Sequence, residues 1–383
     1  MTSKIRVLGL PSDLFGVGHY RMIWPLLMLQ KKHSDEFEIE IRTPGHRIIE
    51  SDLKKFDIIH YHRRINDQDS TLEWVRKCTS RGIKVICDID DHWKPFVGHP
   101  AAAAVSSTNL INEIQKTIRH TPYITTTTEI FADMIRPLNK NIQILVNSVD
   151  TEQKQWQMRD RDEKDDRVRI AWIGGSSHKR DLDLLKGVFK TLYDDPDLKD
   201  KFQIVMCGFD TRGSVTEINP ETKEQKTRKL KPHESVWFEF ENIFSGGLGL
   251  DNKNYSRRKT LPITRYGEHY NHVDICLAPI DRHVFNKAKS ELKVVETGLT
   301  QKALIASDVY IYNKILTNNE NAILIDPSAG ESAWVESIKQ LILSSDKRSM
   351  LQSNLYELVK DKYDLNKAVD VRADYYRNLV KED

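Results

Sequence analysis

Several absences narrow the reading of this sequence before any motif is considered. Its 383 residues contain four cysteines, Cys78, Cys87, Cys207 and Cys276, all far apart. That spacing lacks the pairs a thiolate metal site needs. Three of the four lie in or beside apolar strand patterns, which fits reduced thiols in a cytosolic protein. No run approaches the roughly 18 unbroken apolar residues of a membrane helix. The first ten residues, MTSKIRVLGL, enter a strand pattern with no signal-peptide signature. Neither sign of charge dominates: 58 Lys and Arg against 56 Asp and Glu leave a net charge of +2. Local charge is therefore more informative than the total. A hydrophobic share of 39% beside 30% charged residues describes a soluble globular protein of two ordinary domains.

Two phosphate-binding signatures are also incomplete. Lys4 to Leu10 reads as a strand, Gly16-Val17-Gly18 as a loop, and Tyr20 to Lys31 as an amphipathic helix. This is a Rossmann-like opening without the third glycine of the dinucleotide fingerprint. Further strands are expected at Phe37–Arg42, Phe56–Tyr61, Ile83–Ile89, Tyr123–Thr126 and Ile142–Val146, with helical patterns around Leu53, Leu72–Thr79 and Leu110–Ile118. The alternation argues for a parallel doubly wound sheet, with ligands at the carboxyl ends of its strands. Two polar clusters fall there: His60 to Arg64, and Asp88-Ile89-Asp90-Asp91-His92-Trp93.

The stretch from Thr151 to Asp166, TEQKQWQMRDRDEKDD, is almost wholly polar and marks a boundary. After it the pattern restarts. A strand at Val168–Ile173 leads into Gly174-Gly175-Ser176-Ser177-His178-Lys179-Arg180-Asp181, then a helix through Leu182, Leu185, Val188 and Phe189. Strand, glycine loop and helix make a phosphate cradle of backbone N–H groups. The spacing is not that of a Walker motif, so ATP hydrolysis is not indicated. Phe202–Cys207 reads as the next strand. Thr211 to Pro232 is polar and basic, Trp237–Phe240 reads as a short strand, and Arg257-Arg258-Lys259 with Arg265 forms a second basic cluster. Basic residues interleaved with aromatics suit a phosphate backbone.

The most informative stretch is Pro279 to Ser307. Strand patterns at Val273–Ala278 and Ala303–Ala306 flank a helical one at Lys289–Leu299. Leu292, Val295 and Leu299 form its apolar stripe, while Lys289, Lys293 and Glu296 fall on another face. Lys289 and Ser290 then stand at a helix N-terminus, a natural anion site, with Glu296 about two turns further in. A final strand at Ala322–Ile325 precedes helices at Ser332–Leu343, Lys347–Val359 and Leu365–Leu379.

Phe285-Asn286, Lys289-Ser290, Lys293 and Glu296, followed by Ala-Leu-Ile-Ala-Ser, resemble the donor segment of GT-B glycosyltransferases, the retaining family-four enzymes and their phage and bacterial offshoots. Gly18-His19-Tyr20-Arg21 resembles the first loop of the same group, which faces the cleft. Asn147-Ser148-Val149-Asp150 resembles the turn that closes their first domain. The resemblance implies two Rossmann-like domains facing a cleft: an acceptor-side domain at 1–150, a linker at 151–166, a donor domain at 167–360 and a C-terminal helix at 361–383 that crosses back. It assigns donor binding to Gly18, Gly174, Gly175, Ser176, Lys179, Arg180, Asn286, Lys289, Ser290, Lys293 and Glu296, with Glu296 on the nucleotide ribose. The acceptor side takes His19, Arg21, Asp90, Asp91 and His92, and catalytic roles fall to Lys293, Asp91 and His92. A second glutamate, usual eight residues before Glu296, is replaced by Ala288.

The expected activity is transfer of a sugar from a nucleotide-sugar co-substrate such as a UDP-sugar, with retention and without a metal or other cofactor. The Asp-rich cluster also has the composition of an oxygen-ligand cation site. The expected location is the cytoplasm, or the host cytoplasm for a phage-encoded chain. The acceptor is a saccharide or other small or lipid-linked molecule, a protein, or DNA held by the basic stretches at 223–231 and 257–265. Two other classes fit parts of the pattern: a sugar-nucleotide 2-epimerase of the same fold, and a non-catalytic nucleic-acid-binding protein.

Overall fold

Strands such as Ile58–His62 and Val168–Ile173 are buried at every position. That pattern belongs to parallel sheets covered on both faces. The computed structural model describes residues 4–44, 48–65, 70–96, 99, 102, 105, 109–157, 165–218 and 225–381. Its strands are β1 (Ile5–Leu10), β2 (Phe37–Ile41), β3 (Ile58–His62), β4 (Lys84–Asp88), β5 (Tyr123–Thr126), β6 (Ile142–Ile144), β7 (Val168–Ile173), β8 (Phe202–Phe209), β9 (Ser214–Ile218), β10 (Gln225–Lys229), β11 (Tyr255–Lys259), β12 (Ile275–Ala278), β13 (Ala303–Ser307) and β14 (Ile323–Ile325). They form two six-stranded parallel sheets, ordered β2-β1-β3-β4-β5-β6 and β11-β8-β7-β12-β13-β14. In both, the strand order reverses beside the first strand, which opens a crevice at the carboxyl ends.

The helices that matter for the site are α1 (Trp24–Lys32), α2 (Val236–Phe244), α3 (Leu292–Leu299), α4 (Gly330–Leu343), α5 (Ser345–Val359) and α6 (Leu365–Lys381). Leu365, Val369, Arg372, Ala373, Tyr376 and Leu379 share the buried face of α6, at helical spacing. That face packs against the first domain, and α6 is also tied there by Lys32 and His33 to Asp370 and by Arg377 to Glu36. One apolar core runs through both halves, from Val7, Met22 and Trp24 to Leu355, Val359 and Tyr376. Each such side chain, fully buried, contributes about 1.5–3 kcal/mol relative to exposure.

Four sequence expectations need correction. Trp237–Phe240 is not a strand but lies in α2. The alternation Trp-Phe-Glu-Phe mimics a strand over four residues, yet Trp237, Phe240, Glu241 and Phe244 are buried at steps of three, one and three, a helical face. The single helix expected through Leu182 and Phe189 is broken at Gly187, whose φ of +85° ends one turn and starts the next at Val188. The basic stretches at 223–231 and 257–265, expected as loops, hold strands: Gln225–Lys229 is β10, paired with β9, and Tyr255–Lys259 is β11, paired with β8. Finally, the donor helix begins at Leu292, with Glu291 as its N-cap, so Lys289 and Ser290 precede it and Glu296 stands little more than one turn in.

Candidate functional site

The loops leaving the carboxyl ends of the two sheets meet. Tyr20, after β1, donates its hydroxyl hydrogen to Glu296 Oε1 of α3 at 2.8 Å. The Asn147 side chain donates to Ser290 Oγ at 2.8 Å. Phe96, after β4, packs edge-on to His283 and Phe285, with ring centroids 5.3 and 5.9 Å apart. These contacts define an interdomain cleft whose walls come from both halves of the chain.

On the donor wall, Glu296 is 1% exposed and both its oxygens are engaged. Oε2 accepts from the Tyr270 hydroxyl at 2.9 Å and from Lys293 Nζ at 2.7 Å. Lys293 also donates to the Tyr266 hydroxyl. Burial opposes the charge on Lys293, but the Glu296 carboxylate and Tyr266 outweigh it and raise its pKa well above the lysine range. The tyrosines are pushed up in turn, chiefly by burial and then, for Tyr20 and Tyr270, by the same carboxylate. Lys293 and Glu296 are thus brought together as a hydrogen-bonded pair inside a cage of three tyrosines. Sequence reading missed those tyrosines, because Tyr20 and Tyr270 lie 276 and 26 residues from Glu296.

Around the Gly174 loop the cations divide. Lys179 pairs with Glu239 at 2.6 Å, and Arg180 with Asp281 at 2.7 Å. Lys289 differs: its ammonium lies 5.7 Å from the Phe285 ring centroid and, among the described residues, reaches no carboxylate at ion-pair distance. It is nonetheless close enough to His178 and Asp181 to act on both: burial and then the Lys289 charge lower the His178 pKa, and the Asp181 pKa is lowered against its burial by the His178 hydrogen bond and charge and then by Lys289. Ser176 opens the turn at Ser176–His178. A Cβ on Gly174 would stand 2.4 Å from the Trp172 ring, so this backbone is pressed onto the core, whereas one on Gly175 would meet nothing within 4 Å. Asn286 is buried and donates to Asp181 Oδ1 at 2.8 Å and to the Asp281 carbonyl at 2.9 Å.

The opposite wall is a network of charges. Arg21 is 1% exposed. Its Nε and Nη2 donate to the two oxygens of Asp88 at 3.0 and 2.8 Å, and its Nη1 donates to Asn147 Oδ1 at 3.0 Å and to the Leu145 carbonyl. Asp88 stays ionised against its burial because Arg21 faces it. Arg372 of α6 donates to the Arg21 carbonyl at 3.0 Å, and Tyr376 meets His60. Asp90 accepts from Arg63 at 2.8 Å and lies 2.7 Å from His62 Nε2. Arg63 itself has φ of +61°, a strained backbone for a non-glycine residue, and strain of this kind gathers at functional sites. Asp91 lies 3.7 Å from the same guanidinium, and His92 stacks on Trp93 with centroids 4.6 Å apart. Asp88 and Asp90 are therefore held by cationic partners. Among the described residues, no group of three or more His, Cys, Asp or Glu is placed to hold a metal ion.

Gly18 and His19 support the loop that carries Tyr20. A Cβ on Gly18 would lie 1.9 Å from the Asp13 carbonyl oxygen, and Asp13 Oδ1 accepts from the Gly18 and Phe15 N–H groups. His19 Nδ1 lies 2.9 Å from the Phe15 carbonyl. Gly18→Ala is expected to cost about 1–3 kcal/mol of unfolding free energy, the range for overpacking. A urea titration with an unchanged midpoint would show that the loop relaxes freely.

Three arginines of the basic insertions are paired from within. Arg228 pairs with Glu234, Arg257 with Glu241 and Arg265 with Glu268. Lys226, Lys229, Lys231 and Lys259 remain exposed. Residue 223 lies outside the described residues.

No family model matches the sequence, and no curated protein matches it in sequence. Solved structures match over nearly the whole length. Sucrose-phosphate synthase from Thermosynechococcus elongatus aligns with a TM-score of 0.66 over 100% of both chains at 11% identity. HepE from Anabaena, in complex with UDP and glucose, aligns with a TM-score of 0.64 over 98% of this chain and 100% of its own, also at 11% identity. The chain has the GT-B fold. A glycosyltransferase from Rickettsia africae gives a TM-score of 0.64 over 100% of both chains at 12% identity. HepE has also been solved with UDP and with UDP-glucose. At this identity the likeness is one of fold: two Rossmann-like α/β domains with their strand ends facing a cleft.

Proposed function

We propose that the protein is a glycosyltransferase that moves a sugar from a nucleotide-sugar donor to a hydroxyl acceptor. The observation that carries this reading is Lys289, an ammonium without a carboxylate partner among the described residues, on the donor wall beside the Gly174 loop and in front of α3. An unpaired cation there suits a diphosphate, which neighbouring N–H groups and the helix dipole also favour. UDP and UDP-glucose bound to HepE, a neighbour in fold, support the donor class.

In the proposed reaction, the bond between the anomeric carbon and the diphosphate oxygen breaks, and a bond to the acceptor oxygen forms. The acceptor proton leaves on the departing diphosphate. Lys289 and Lys293 stabilise the negative charge that develops on that leaving group, so no step requires a metal. Retention of configuration follows from the resemblance to family-four enzymes. We place the acceptor on the opposite wall, around His19, Asp91 and His92. The paired arginines of the basic insertions favour this placement over a DNA acceptor tracked by those loops.

Lys289→Ala should keep the fold, since no ion pair is lost, and weaken binding of the nucleoside diphosphate. Loss of a charge-assisted contact of about 1.5–3 kcal/mol corresponds to roughly ten- to 150-fold in affinity. Calorimetry with the free diphosphate is the test, and equal affinity in parent and variant removes Lys289 from the donor site. Incubation with donor alone separates transfer from epimerisation: a 2-epimerase would form the epimer without any acceptor.

A further inference from the structure

Two polar side chains on the donor wall, His178 and Asn286, present acceptor atoms without a partner among the described residues. His178 closes the Gly174 loop, and its Nδ1 lies 2.7 Å from Asp181 Oδ2. Asp181 is 2% exposed and held from two further directions, by the Asp281 N–H at 2.9 Å and by Asn286 Nδ2 at 2.8 Å. Its second oxygen is thereby occupied, and the carboxylate is fixed against the imidazole. Burial, the Lys289 charge and Lys293 all disfavour a charged ring, while Asp181 favours one; the balance lowers the His178 pKa. A neutral ring that donates from Nδ1 to a carboxylate carries its lone pair on Nε2. Among the described residues no group hydrogen-bonds that Nε2, and His178 lies close enough to His99 of the opposite wall to influence its titration. The second group is Asn286. It is 2% exposed, and its Oδ1 is a buried acceptor with no hydrogen-bond partner among the described residues. A buried acceptor left unsatisfied costs about 1–3 kcal/mol, which a ligand hydroxyl would recover.

Both groups are acceptors, so they suit neutral donors such as sugar hydroxyls and not phosphate oxygens. Asp181 ties them together. Resting on the glycosyltransferase reading, we propose that His178, positioned by Asp181, and Asn286 hold hydroxyl groups of the donor's sugar. The pair thus acts on the glycosyl moiety, while Lys289 acts on the diphosphate.

The test uses the full chain and calorimetric titration of free uridine, guanosine, adenosine and thymidine diphosphates and of the matching nucleotide hexoses. In the parent, at least one nucleotide hexose should bind more tightly than its free diphosphate. His178→Ala should weaken that nucleotide hexose about three- to tenfold, the effect of one neutral hydrogen bond, and leave the free diphosphate unchanged. His178→Gln, which keeps an acceptor near Nε2, should recover part of the loss. Asp181→Asn should copy His178→Ala, because an amide N–H donated to Nδ1 shifts the ring to the tautomer with N–H at Nε2. If His178→Ala weakens diphosphate and nucleotide hexose equally, or neither, the sugar assignment is wrong while the transferase reading stands. If the parent binds no diphosphate and no nucleotide hexose of any series, the transferase reading fails and the assignment falls with it.

Discussion

Arg21→Met is expected to lower the unfolding free energy by about 3–5 kcal/mol, the loss seen when one partner of a buried ion pair is removed. Asp88 is fully buried and depends on Arg21 for its charge. Without the guanidinium, the carboxylate keeps only Thr125 Oγ1, 2.6 Å away, and the more distant histidines His60 and His62. Arg21 also joins the Leu145 carbonyl and Asn147, so the variant loosens the end of the first sheet next to the Asn147–Ser290 contact. The double variant Arg21→Met, Asp88→Asn should be less destabilised than the single one, because no unpaired charge remains. Acid sensitivity supplies a second readout. The Asp88 pKa is lowered on folding, so its stabilisation is present above the ordinary carboxylate range near pH 4 and is lost as the pH falls below it. Arg21→Met should flatten that acid limb. A loss under about 1 kcal/mol in urea at neutral pH would mean that water or a neighbour replaces the guanidinium.

Glu296→Gln has the second large effect, and it acts on both stability and binding. Glu296 accepts from Tyr20, Tyr270 and Lys293 at once. An amide retains one oxygen but presents an NH2 group to one side of this donor cage, and Lys293 loses its counter-charge. The expected cost is about 2–4 kcal/mol, below the value for a fully buried pair because Lys293 is 22% exposed. The sign of the pH dependence follows from the raised Lys293 pKa: its stabilisation is complete at neutral pH and lost only as the pH rises above the lysine range. If Glu296 also takes the ribose hydroxyls, Glu296→Gln should weaken nucleoside diphosphate binding beyond any loss seen for Lys293→Met. Equal stability of parent and variant in urea would show that the tyrosine cage reorganises without strain. Unchanged diphosphate affinity would confine Glu296 to the role of an interdomain tie.

Much of the architecture is legible along the chain because its signals are local. Strands such as Val-Arg-Ile-Ala-Trp-Ile, apolar except for Arg169 and buried at every position, are covered on both faces. The alternation of strands with helices then implies parallel sheets, and the polar run after Thr151 marks where the pattern restarts. The errors have local causes too. Four residues of alternating hydrophobicity at Trp237 imitate a strand, and two leucines at helical spacing hide the break at Gly187.

The site is different in kind. Sequence placed Lys289, Lys293, Glu296 and the Gly174 loop in one half of the chain as candidates, from residue type and spacing. It did not separate the cations. Lys179 and Arg180 find carboxylates on α2 and after β12, whereas Lys289 finds none among the described residues, and such partners come from residues 60 and 101 positions away. Nor did it show that Glu296 faces Tyr20, or that Arg21 is sealed beneath Asp88 and α6. His178 and Asp181, three residues apart, carry a local signal, but only Asp281 and Asn286 from another loop make that pair rigid. Periodicity and composition act over a few residues, so they determine elements and their order. Charge pairing depends on distance through space, which is set when the ends of the two sheets close on one another.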